Sequence, residues 1–385
     1  MSFLPFYIPR RKQLKIVIIG GGYAGLAALT TLSRYMPDAN ITIVDPRSQH
    51  IKIVHLHETF RRPLQDFLVP FPVLEQRFGC RHICAELITE ADNVRQWQND
   101  KFITIHKETL EFDYVLIASG AAAGQADREN NILDLNDFLT TPGPNLLNSH
   151  LVTTNQGKPF ISVIGGGATG IQFLFEIAHF FRRQKIKCNL RLVDGNDRVL
   201  QQFPTDFSHY AETRMTELGI DFYPDTYYRE QQNDKIMLET KGTGQKFDLP
   251  SVMTLLFLGN KMDNLLSANT FGQVMIDQQP LQNIFTAGDC ASYNSFGSNA
   301  MTAQSAVRKG KLAARNILRS SGALKLFEPY LHHDLGYVIS LGPTDAVGWL
   351  ALENNVVSGI PALVIKELVE TQYDLLLAGI DTYLI

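Results

Sequence analysis

The chain has 385 residues, 45% of them hydrophobic, and a formal net charge of −4. That length predicts two or three domains with ample core, and the mild acidity speaks against a nucleic-acid partner, which needs a basic face. Four cysteines are too few for a disulfide framework, which points to a reducing compartment. No run of about eighteen uncharged apolar residues is present to cross a bilayer as a helix.

"MSFLPFYIPRRK" opens the chain with its basic cluster after the apolar residues, the reverse of a secretory signal, and reads as a surface anchor. Leu14 to Ile19 is a β-branched apolar run, as in a parallel strand buried on both faces. Three glycines follow, then helical spacing over "LAALTTLSRYM", then the strand "NITIVD" ending at Asp45. "HIKIVHLHE" reads as a strand with His55 and His57 on one face and His50 nearby; no acid or cysteine stands at ligand spacing, so no metal is expected. "KFITIHKETLEFDYVLIASGA" alternates and then becomes wholly apolar, a hairpin returning to a buried strand, and "TTPGPN" reads as a linker. The pattern then repeats: "FISVIG", glycines, a helix over "TGIQFLFEIAHFFRR", and "CNLRLVD" ending at Asp194. "KIMLE", "VMTLLFLGN", "LQNIFTAGDCASY" and a helical "TAQSAVRKGKLAARNILRS" complete the chain to about Gly322, where a C-terminal segment begins.

Strand, glycine turn, helix, strand and acid make a dinucleotide-binding unit. The first glycine permits a tight bend, the second lets backbone approach a pyrophosphate, and the third lets helix pack on strand. These are Gly20, Gly22 and Gly25 in the first copy, and Gly165, Gly167 and Gly170 in the second. The phosphates meet free N–H groups at a helix N-terminus, where Tyr23, Ala24 and Thr169 also stand. Asp45 and Asp194 accept from a ribose 2′-hydroxyl and repel a 2′-phosphate. Two copies imply two dinucleotides, one held and one exchanging.

These units resemble those of the pyridine-nucleotide–disulfide oxidoreductase group, whose N-terminal unit holds FAD and whose inserted unit holds NAD(P)H. "NIFTAGDCA" matches the group's Gly-Asp on the FAD ribityl chain, here Gly288 and Asp289, and "DYVLIASGA" matches its strand-turn at Ser119 and Gly120. The resemblance implies an α/β fold with two Rossmann-like domains, the FAD domain being split by the NAD(P)H domain, and a C-terminal α+β segment. The bounds expected are 1–122 and 259–322 for the FAD domain, 123–258 for the NAD(P)H domain, and 323–385 for a membrane-association or dimerisation segment. The histidines near position 55 would then line the domain's surface or the flavin edge.

Within the group, a disulfide reductase needs a CxxxxC pair, but "GCRHIC" sets Cys80 and Cys84 on a strand, about 13 Å apart and beyond disulfide reach. Neither dithiol chemistry nor a sulfide-oxidising cysteine set is expected. "TAQSAVRKG" is similar to the A-Q-x-A-x-Q stretch that lines the quinone pocket of type II NADH:quinone oxidoreductases. Gln304 matches its first glutamine, while Arg308 replaces its second. Gln172 stands where that family has an acid. These three are the expected catalytic positions, with FAD and NADH as cofactors and a quinone as acceptor. Asp194 implies NADH over NADPH. A soluble reductase of a ferredoxin or rubredoxin and an NADH-sensing flavoprotein related to apoptosis-inducing factor stay as alternatives.

The resemblance implies a cytoplasmic protein at the inner face of a membrane. Val364, Ile365, Leu368, Val369, Leu375 and Leu376 make an apolar helical face, and Lys366, Glu367, Glu370 and Asp374 a polar one. Acidic residues on that face would repel anionic lipid. Packing on its own domain, a homodimer contact and a peripheral membrane contact all remain open.

Overall fold

Five parallel strands, in the spatial order Gln279–Thr286, Tyr114–Ile117, Lys15–Ile19, Asn40–Asp45 and Arg81–Cys84, form one side of an eight-stranded sheet, with Arg81–Cys84 at its edge. The computed structural model describes residues 13–121, 131–151, 159–259, 265–323, 326–334 and 336–383. The N-terminal "SFLPFYIPRRK", read as an anchor, lies outside the described residues. A second sheet has five parallel strands in the order Asp221–Tyr223, Asn189–Val193, Phe160–Ile164, Met253–Leu256 and Ile132–Asp134. Lys15–Ile19 and Phe160–Ile164 are buried on both faces, as their β-branched runs require.

Eight α-helices occur among the described residues: α1 (Tyr23–Tyr35), α2 (Phe71–Phe78), α3 (Ala91–Asp100), α4 (Gly143–Leu151), α5 (Ala168–Gln184), α6 (Thr205–Leu218), α7 (Ala303–Leu318) and α8 (Ile360–Leu377). α1 and α7 share one apolar cluster on one face of the large sheet, while Val94 and Trp97 of α3 pack on its other face. Gly310 lets α7 approach α1, since a Cβ there would lie 2.1 Å from the Ala24 carbonyl oxygen. α5 packs on the second sheet in a cluster that also takes in Leu56 and Phe60, Leu147, and Ile339, Val347 and Trp349 of the C-terminal antiparallel sheet. That cluster ties both nucleotide-binding units to the C-terminal segment.

The expected hairpin is present as Phe102–Ile105 and Glu108–Glu111. Three local expectations are corrected. "TTPGPN" is not a linker, because α4 starts at Gly143, whose Cα faces the Phe60 ring. Ile53–Phe60 is a 3-10 helix, not a strand, and it buries His55, His57 and Glu58 together. On α8 the expected split into an apolar and a polar face is broken: Lys366 is buried with Leu376, while Val364, Leu368 and Val369 are 53%, 63% and 40% exposed. An ion pair with buried carboxylates outweighs the apolar pattern there.

Candidate active site

Both glycine turns adopt one geometry. Gly20 and Gly165 have φ of +103° and +105°, which side chains avoid. A Cβ on Gly25 or Gly170 would lie 1.9 Å from the carbonyl oxygen of Gly20 or Gly165, so helix and strand touch there. At Gly22 and Gly167, the residues before α1 and α5, a Cβ would meet nothing within 4 Å. The space that a diphosphate needs is therefore open in front of both helix N-termini, where Tyr23, Ala24 and Gly25, or Ala168, Thr169 and Gly170, present unpaired N–H groups.

The acids lie where the spacing placed them. The Gly21 N–H donates to Asp45 Oδ2 at 2.7 Å, and the Gly166 N–H donates to Asp194 Oδ2. Asp45 is also forked by Arg47, with Nε on Oδ1 and Nη2 on Oδ2, both at 3.0 Å. Asp194 accepts instead from the Asn196 N–H at 2.7 Å.

Ser119 and Gly120 follow the strand Tyr114–Ile117, and Ala118 in that strand-turn closes on Gly20. Gly288 closes on Ala24, whose Cβ would lie 3.0 Å from a Gly288 Cβ. Gly20, Gly22, Ala24, Gly25, Ser119, Gly288 and Asp289 are thus assembled at the carboxyl ends of neighbouring parallel strands. Burial pushes the Asp289 carboxyl up to about 6, against the pull of the Lys309 ammonium. It accepts no hydrogen bond from the described residues, an arrangement that suits a donor on a ligand. Lys309 is 2% exposed and lies 5.1 Å from the Tyr293 ring centroid.

Gln172, on the second turn of α5, lies with its Nε2 3.3 Å from Ser340 Oγ and 3.4 Å from His57 Nε2. Gln304 and Arg308 sit one turn apart, half-buried, at the start of α7. The charged and phenolic neighbours of Arg308 are Tyr383, Tyr330, Asp334 and Arg315.

Motif reading did not reveal the polar cluster beneath Gln172. The Oε1 of Glu58 lies 3.1 Å from Lys366 Nζ and 3.1 Å from His55 Nδ1, and Lys366 also pairs with Glu370. His55, Glu58 and Glu370 converge closely enough to suggest a metal, but the Lys366 ammonium already supplies the cation among them. Burial alone would raise the Glu58 carboxyl, yet His55 and Lys366 hold it well below the usual carboxylate range. Burial drives His57 well below its ordinary value, so the imidazole is neutral. His50 is pushed down to about 4 by burial, donates from Nδ1 to the Gly21 carbonyl at 3.0 Å and accepts from Tyr373 Oη at 3.0 Å. α8 is thereby pinned to the first glycine turn.

All four cysteines are free. Burial pushes the Cys80 thiol up to about 11 and the Cys188 thiol up to about 12, away from thiolate chemistry.

The family model for pyridine nucleotide-disulphide oxidoreductase matches residues 14–310. The chain is similar to a type II NADH:quinone oxidoreductase of Staphylococcus epidermidis, with 25% identity over 400 residues, covering 95% of this chain and 96% of that protein. Among solved structures it resembles the sulfide:quinone oxidoreductase of Aquifex aeolicus, with a TM-score of 0.75 and 17% identity over 95% of this chain and 92% of the other. It also resembles NDH2 of Plasmodium falciparum in complex with NADH, with a TM-score of 0.70 and 15% identity, covering 94% of each chain.

Proposed function

Because the chain belongs to the pyridine nucleotide-disulphide oxidoreductase family, we propose that it is an FAD-dependent enzyme that takes hydride from NADH and passes two electrons to a quinone. The observation that carries this reading is the pair of open cradles on one chain, at Gly22 and at Gly167. The names of its relatives do not favour a partner redox protein or an NADH sensor.

FAD, once bound, supplies a carrier that accepts hydride and returns electrons in pairs. The N–H groups of Tyr23, Ala24 and Gly25 would hold its diphosphate, Asp45 its ribose hydroxyls and Asp289 a ribityl hydroxyl. The N–H groups at Thr169 and Gly170 would hold the NADH diphosphate. Asp194 would accept from the 2′-hydroxyl, and, with no arginine bonded to it among the described residues, its charge makes a 2′-phosphate unwelcome. Gln304 offers an amide to a quinone carbonyl, and Arg308 offers positive charge to an oxygen that gains electron density. Gln172 can orient a carboxamide but cannot donate a proton near neutral pH.

No helix among the described residues is long and apolar enough to cross a membrane. A lipid-borne quinone is instead met at a surface: Ile360, Val364, Leu368 and Val369 of α8 face outward. Ile53 and Val54 are also exposed, and Lys52 beside them pairs with Asp374 of α8. These residues form a peripheral lipid contact.

Steady-state kinetics test the reading. The purified protein is expected to release flavin on denaturation, to oxidise NADH in preference to NADPH, and to reduce a water-soluble quinone. A protein that cannot be reconstituted with flavin, or that transfers electrons to ferricyanide but to no quinone, would overturn it.

A further inference from the structure

Quinone reduction by NADH consumes one proton per turnover: NADH + H⁺ + quinone gives NAD⁺ + quinol, with two electrons passing. The Gln172 amide cannot hand that proton on. One turn further along α5, Glu176 is 2% exposed, and its Oε1 accepts from Arg61 Nε at 3.0 Å. The same guanidinium lies with Nη2 3.1 Å from Glu58 Oε2, so one arginine clamps two buried carboxyl groups. Glu58 Oε1 is 3.9 Å from His57 Nε2, which is 2.9 Å from Ser340 Oγ, the hydroxyl that also receives the Gln172 amide. At the other end, Glu176 lines a surface cavity of about 380 Å³ together with Arg61, His179, Arg182 and Arg183. A run of polar atoms therefore leads from solvent to the Gln172 junction.

We propose that Glu176, one turn beyond Gln172 on α5, stores the proton that quinone reduction consumes, and that the arginine-lined cavity refills it from solvent. The inference rests on the quinone-reductase reading above. The proton leaves the Glu176 carboxyl O–H and ends on a quinol oxygen. A water proton restores Glu176. Each element packed on Glu176 contributes charge: His55, His57, Glu58, Arg61 and Arg62 from the 3-10 helix, Lys366 and Glu370 from α8, and His179, Arg182 and Arg183 from α5 itself. Burial, with help from the Glu58 charge, pushes the Glu176 carboxyl up to about 6 although Arg61 pulls it down. Glu176 touches neither substrate nor cofactor, so it is a positioning residue and its signature is a pH profile.

A carboxyl raised to about 6 carries its proton below that pH and loses it above. At saturating NADH, turnover with a water-soluble quinone is expected to fall as pH rises through about 6, whereas turnover with ferricyanide, which takes electrons without protons, is not. Glu176→Gln should lower quinone turnover at pH 5.5 by at least about tenfold and flatten that limb, and Glu176→Asp should restore part of it. An E176Q profile that keeps the wild-type limb overturns the inference while leaving the quinone-reductase reading intact. Ferricyanide turnover without any quinone turnover by the wild type overturns that reading instead. If E176Q does not fold, the wild type decides: quinone turnover slowed in D₂O below pH 6, with ferricyanide turnover unaffected, supports the route, and equal effects on the two acceptors sink it.

Discussion

Gly22 and Gly167 differ from the other turn glycines in one useful respect: a methyl group added there meets nothing within 4 Å. Their φ angles, −82° and −73°, suit any residue. Alanine at either position should fold normally and obstruct only the approach of a diphosphate. Gly22→Ala is expected to yield protein with little bound flavin, and Gly167→Ala to keep flavin while raising the Michaelis constant for NADH by about tenfold, the equivalent of roughly 1.4 kcal/mol. Flavin absorbance per chain and NADH titration check both, and flavin loss from the Gly167 variant alone would reverse the two assignments. These positions were legible in the sequence because a phosphate cradle is built from contiguous residues. Glu58, Glu176 and Lys366 gave no such signal, since the groups that define their chemistry are more than a hundred residues apart.

α8 is an element whose existence was legible while its buried face was not. Its 3.6-residue periodicity is plain, but the face it buries was set by partners that the periodicity cannot see. Lys366 is 5% exposed, with Glu58 and Glu370 as its anionic partners, and these raise its ammonium above the ordinary value although burial alone would lower it. The same limit applies to Ile53–Phe60, a 3-10 helix in which His55, His57 and Glu58 are all buried. Lys366→Met should lower stability by about 3–5 kcal/mol, because buried Glu370 loses its ammonium partner and Glu58 is left to the cations Arg61 and Arg62 alone. The Glu58 carboxyl is held below its usual value of 4.5, so it contributes stability above that pH, and the contribution is lost as pH falls below it. The deficit of Lys366→Met in urea denaturation is therefore expected in full at pH 7 and smaller at pH 4. A deficit that does not change with pH would show that the lysine contributes packing and not charge.

At the scale of the whole molecule, α8 joins the nucleotide site to the outer surface. Tyr373 reaches the first glycine turn through His50, Lys366 reaches the acid cluster, and the opposite side of the helix stays apolar and open. The acidic residues that made this helix look ill suited to anionic lipid are mostly occupied. Glu370 pairs with Lys366 and Asp374 with Lys52. What faces outward is Ile360, Val364, Leu368 and Val369, and burying such side chains contributes roughly 1.5–3 kcal/mol each. Four partly immersed groups suffice to hold a peripheral protein to a bilayer reversibly without help from headgroup charge. The full chain is therefore expected to co-sediment with phosphatidylcholine vesicles, with little gain from added anionic lipid. Val364→Glu combined with Leu368→Glu should weaken that partition by at least about tenfold, since both carboxylates would enter the apolar layer, while flavin content stays unchanged. If the double variant still binds vesicles but sediments as a monomer where the wild type is a dimer, the stripe covers a second copy of the chain and the lipid contact lies elsewhere.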